Sequence, residues 1–218
     1  MRRLAQPNVV TASAIAAALT AAVSIPRMLL WAKRPLPLWY VEATIFLGGF
    51  ILWAFVFGWH TEYTRRPLFT LKIKPAIFAG ATLAGILAAL VLHFFLDPSL
   101  RITTPEDYPA DFAHWVASTL FALAFTELFL LFAPFAWSMR LFRHEQIALW
   151  LTVAFNVFLL ILKTRASPKP FPHTLFIDLL ALRIVMGYFN VWFYLRGGIF
   201  LAWWLGFLIE ARHLLGIL

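Results

Sequence analysis

Apolar residues fall in seven long runs, at 9–31, 38–59, 76–96, 112–137, 147–162, 174–195 and 197–216, joined by short polar or charged connections. About 20 apolar residues in a helix cross the roughly 30 Å hydrocarbon core of a bilayer. The pattern therefore predicts an all-α, polytopic transmembrane helical bundle of about seven spans, forming a single membrane domain over residues 1–218. The first run follows Arg2 and Arg3 as a signal peptide would, but its apolar part is long for one and more spans follow, so it reads as an uncleaved helix. Its small residues Ala12, Ala16, Ala17 and Ala21 offer a neighbour close approach, and Pro26 kinks or ends it. Trp39, Tyr40, Trp59 and Tyr63 flank the second run at interfacial depth. The third run closes at Asp97 and Pro98. The Pro-rich basic stretch 163–173 is expected to be extended. Gly197 and Gly198 force a tight reversal or a broken helix between the last two runs.

Composition sharpens the class. The chain is 62% hydrophobic and 13% charged, with a mean hydropathy of +0.82, whereas soluble domains sit near 45–50% apolar and about 25% charged. With no cysteine, disulfides, iron–sulfur clusters, thiolate zinc sites and a cysteine nucleophile are excluded. The net charge of +8 lies in short inter-span loops, where Lys and Arg set topology and meet anionic lipid. No basic face with interleaved polar contacts suggests nucleic acid. The expected location is a multi-pass position in a membrane, as in the bacterial cytoplasmic membrane, with lipid and other membrane subunits as partners. Orientation is undecided: alternate loops, with Arg183 left out as mid-helix, carry nine and eight Lys and Arg residues.

Charges inside the runs are the candidate chemistry, because each costs about 2.5–3.5 kcal/mol at the centre of a span. Glu127 lies midway along the fourth run and Arg183 within the sixth, so a structural Glu127–Arg183 ion pair is the first reading. A proton-handling or catalytic Glu127 is the second, and a neutral Glu127 bonded to Thr126 or Asn156 the third. Asp178 is expected at the membrane surface, and Glu210 and Arg212 at an interface. His93 and His114, at the ends of the third and fourth runs, are the candidate ligands for a haem or pigment. No HExxH, paired histidines at helical spacing or CxxCH supports them, and the expected metal and cofactor are none. The other histidines, His60, His144, His173 and His213, are expected at interfaces. There is no GxSxG, Walker loop or acidic pair for a metal-bound phosphate; Glu106 and Asp107 read as a solvated loop. Ten Trp and 23 Phe suit both lipid anchoring and docking against other membrane subunits.

The fourth, fifth and last runs resemble the CPBP family, the CAAX prenyl protease and bacteriocin-processing intramembrane peptidases. Phe125, Thr126, Glu127 and Leu131 stand at that family's Glu-Glu-x-x-x-Arg motif. Phe155 and Leu159 stand at its Phe-x-x-x-His motif. Arg196, Gly197 and Gly198 match its late turn, which places Gly206 and Glu210 at its last motif. The resemblance implies a helical bundle whose glutamates and histidines activate water for peptide hydrolysis. Here Thr126 replaces the first Glu, Leu131 the Arg, and Leu159 and Gly206 the two His, and only Glu127 is kept. It therefore implies a degenerate, non-catalytic member serving as an accessory subunit of a larger complex. A divergent peptidase using Glu127, and Glu210 beside it, is the alternative; a transporter-like or haem- or pigment-binding bundle is a further one.

Overall fold

The computed structural model describes residues 3–30, 36–167 and 171–217. Six of its helices are long and apolar enough to cross a membrane: α1 (Pro7–Leu29), α2 (Leu38–Thr64), α3 (Pro75–Thr103), α4 (Phe112–Phe142), α5 (Glu145–Ala166) and α6 (His173–Gly216). No strand forms among the described residues. The protein is thus the all-α bundle its hydropathy predicts, and the six helices fit a multi-pass integral membrane protein. Two compact units divide it, residues 1–68 with 113–148 and residues 69–112 with 149–218.

In the first unit α1 buries Val9, Ser13, Ala17, Thr20, Ser24 and Met28, a stripe at helical spacing. It meets Gly49 and Trp53 of α2. A Cβ added at Gly49 would lie 3.8 Å from the Ala17 Cα, so the two backbones approach without an intervening side chain, as small residues allow in lipid. Of the four alanines expected on this face, only Ala17 is fully buried. Two of its small polar residues, Thr20 and Ser24, are satisfied inside. Trp53 Nε1 donates to Thr20 Oγ1 at 3.0 Å, and the Ser24 hydroxyl donates to the Thr20 carbonyl at 2.7 Å. Trp39 is exposed as an anchor should be, but Trp59 is only 6% exposed. It stacks on Phe55, with centroids 4.7 Å apart, and lies 5.5 Å from Trp137, so it is core rather than anchor.

Several helices outrun their predicted ends. α2 continues to Thr64 and stops at left-handed Arg65; α4 stops at left-handed Arg143. α3 passes through Asp97 and Pro98, and α5 covers residues 163–166, which were expected to be extended. Within the rest of that Pro-rich stretch, residues 168–170 lie outside the described residues, as does Trp31 at the end of the first predicted run. Among the described residues four π-helical segments interrupt the helices, at Val56–His60, Leu92–Leu96, Ala122–Thr126 and Leu128–Phe132. Two have a plain cause: Pro98 and Pro134 would clash with the carbonyls of Phe94 and Leu130, four residues back, and both carbonyls sit in π turns.

In the second unit α6 has 44 residues, about 66 Å if straight and twice what a bilayer needs. It breaks at Gly198, with φ 65° and ψ −160°, a conformation that L side chains avoid. The residues before and after the break return alongside each other: Met186 and Ile209 line one cavity, although a straight helix would hold them roughly 35 Å apart. The reversal expected at Gly197 and Gly198 is therefore formed, and α6 is a hairpin of two arms. α3 packs against both, Ala81 meeting Phe193 of the first arm and Leu201 and Leu205 of the second. Trp204 Nε1 donates to Thr82 Oγ1 at 2.9 Å.

Candidate functional site

The hairpin places its charged ends beside the connection that follows α3. Asp97 sits where α3 resumes after its π turn and is 2% exposed. A carboxylate that deep needs partners, and it has two. Tyr108 donates its phenol to Asp97 Oδ1 at 2.7 Å. Arg212 brings Nε to 3.3 Å of Oδ2 and 3.4 Å of Oδ1. Arg212 Nη1 also donates to the Ile209 carbonyl at 2.8 Å, which fixes the guanidinium on the second arm. Burial pushes the Tyr108 phenol well above its usual range, and its hydrogen bond to Asp97 and the charge of that carboxylate add to that; Arg212 and Arg101 act the other way. Arg101 lies over the Tyr108 ring, 5.1 Å from its centroid.

His213 stands edge-on to Tyr108 at 5.1 Å, with Nε2 3.7 Å from Glu210 Oε2. Lys163, at the end of α5, donates to Asp107. These groups border a cavity of about 370 Å³. Its polar wall carries Asp107, Tyr108, Lys163, Glu210 and Arg212, while Leu160, Leu179, Leu182 and Met186 make it apolar elsewhere. Arg183 also lines it, about 15 Å along the first arm from His173.

Of the residues singled out from sequence, the structure gathers Glu210, Arg212 and Arg183 around this cavity. Glu127 belongs to the first unit and Arg183 to the second. Glu127 is half-buried and is the single residue between two π turns. The peptidase-like positions divide in the same way: Thr126, Glu127 and Leu131 fall in the first unit, and Phe155, Leu159, Gly206 and Glu210 in the second. Asn156 donates its amide to the Thr152 carbonyl at 2.9 Å. His93 lies in a π turn of the second unit and His114 in the first; both are half-buried. No three His, Asp or Glu side chains converge to hold a metal among the described residues. Asp178 is exposed, whereas His60 and His213, expected at interfaces, are buried.

The sequence reading missed Asp97, Tyr108 and the pairs they enter. Asp97 looked like a span-closing acid before proline, and its partner is 115 residues away. The one available signal was that the acidic connection 97–111 faces Lys163 and Arg212 if loops alternate sides. Compared with models of known protein families, with curated proteins and with solved structures, the chain matches none.

Proposed function

We propose that this chain is a non-catalytic integral membrane subunit, a CPBP-like bundle of the bacterial cytoplasmic membrane that serves other proteins as a scaffold. One observation carries the reading: most of the ionisable groups around the second unit's cavity are joined to one another. Asp97 is held by Arg212 and Tyr108, Asp107 by Lys163, and Glu210 lies by His213. Such pairs hold elements together, whereas hydrolysis needs a base and donors directed at a water and a scissile carbonyl. The residues at the peptidase-like positions agree, since Leu131, Leu159 and Gly206 can neither accept nor donate a proton. Purification in mild detergent should bring stoichiometric membrane partners. A monodisperse, partner-free monomer under conditions that preserve complexes would overturn the proposal.

A second reading, a divergent glutamic intramembrane peptidase, has one observation in its favour. Glu127 is flanked by two π turns, a local geometry frequent at functional sites, and only the second is accounted for by Pro134. Its test is proteolysis of membrane-embedded substrates by wild type and by Glu127→Gln. Equal activity in both, or none in either, removes it.

A further inference from the structure

We propose that the cavity of the second unit binds the headgroup of a zwitterionic phospholipid: its phosphate on Arg212 and Lys163, its ammonium toward Glu210 and Asp107, and its first methylenes along Leu182 and Met186. The cavity measures about 370 Å³, within the roughly 300–1,000 Å³ of small-molecule sites and near their lower limit. That suits a headgroup with the start of one chain rather than a whole diacyl lipid.

Unspent donors mark the phosphate end. The Arg212 guanidinium is held by Asp97 through Nε and by the Ile209 carbonyl through Nη1, and its Nη2 makes no hydrogen bond among the described residues. Its side chain is only 11% exposed, so the donor is oriented and largely desolvated, the condition in which a charge-assisted bond to an oxyanion is strongest. Lys163 gives one of its three donors to Asp107 and is more than half exposed at the rim, which leaves donors at the mouth.

Charges of both signs favour a zwitterion over an anion. Lys163, Arg183 and Arg212 line the cavity together with Asp107 and Glu210, and complementarity selects a ligand that carries both signs. Leu179, Leu182 and Met186 of the first arm and Ile209 of the second give the lipid portion an apolar wall. The site stands whether or not the protein has a protein partner.

Native mass spectrometry of the full chain, delipidated in detergent and titrated with defined lipids, tests this. Phosphatidylethanolamine should be retained roughly tenfold more strongly than anionic phosphatidylglycerol, the ratio expected for one added charge-assisted contact. Met186→Trp, which fills the cavity, and Lys163→Met, a rim change that leaves the buried pair intact, should each weaken that retention several-fold. Glu210→Gln should bring the two lipids closer together. Soluble phosphoethanolamine should compete only weakly; competition as strong as the lipid's would show a site for a free zwitterion and overturn the lipid assignment. Equal retention of both lipids by wild type would overturn the zwitterion assignment. Retention unchanged in both Met186→Trp and Lys163→Met, with wild-type elution, would overturn the site itself.

Discussion

Replacing Arg212 with leucine should be far more damaging than replacing Arg212 and Asp97 together. Asp97 is 2% exposed, and its charge is held by the guanidinium at 3.3 Å and the Tyr108 phenol at 2.7 Å. Without Arg212 the carboxylate stays buried with one donor. Breaking a buried pair costs about 3–5 kcal/mol, and the remaining phenol bond to a charged acceptor places this case near the lower end, at about 3 kcal/mol. Asp97→Leu strands a guanidinium that keeps the Ile209 carbonyl and borders the cavity, so about 2 kcal/mol is expected. The double change removes both charges and leaves apolar side chains between helices, which costs about 0–2 kcal/mol. The cycle should then show a coupling of about 3–5 kcal/mol. Equilibrium unfolding in mixed micelles, followed by tryptophan fluorescence, measures all four proteins. Single changes that add to within about 0.5 kcal/mol of the double would refute the reasoning.

The hairpin makes a second prediction: Gly198→Ala forces a side chain onto φ 65°, ψ −160° and should cost about 1–3 kcal/mol, read as a lowered melting temperature, whereas Gly48→Ala, with nothing within 4 Å of the added Cβ, should leave it nearly unchanged. Gly85→Ala should destabilise by about 1–3 kcal/mol in the same assay, since its Cβ would fall 2.9 Å from the Leu208 Cβ; a neutral result contradicts the packing of α3 on the second arm. Tyr108→Phe should cost about 1.5–3 kcal/mol by losing its bond to Asp97. Because the folded phenol is raised above the unfolded value near 10, that contribution is complete below about pH 10 and falls as pH rises further. Phenolate absorbance in alkaline titrations of wild type and Tyr108→Phe should accordingly superimpose through about pH 10, and a step missing from the variant in that range would contradict it.

The spans were legible because hydropathy is a local property: the predicted start at residue 38 matches α2, and that at 112 matches α4. The reversal at Gly197 and Gly198 was legible for a similar reason, as two glycines inside an apolar run have few other uses. What depends on distant residues was not. Asp97 reads locally as the end of a span, and only Arg212 and Tyr108 explain its burial. Trp59 has an anchor's position in the sequence, but Phe55 and Trp137 enclose it. The α1 face was misplaced by the width of a few side chains, because serine and threonine bonded to backbone and indole pack as readily as alanine. The two π turns near Pro98 and Pro134 had a visible cause, a proline four residues downstream of the carbonyl it displaces, and the one at Ala122–Thr126, just before Glu127, had none.

The central claim is that the bundle works through assembly rather than through chemistry of its own, and purification from native membranes in mild detergent, with mass spectrometry of the intact species, tests it most directly. The account predicts a complex in which this chain appears at fixed stoichiometry with other membrane proteins. A lone chain that cleaves membrane substrates, and loses that activity in Glu127→Gln, would contradict it.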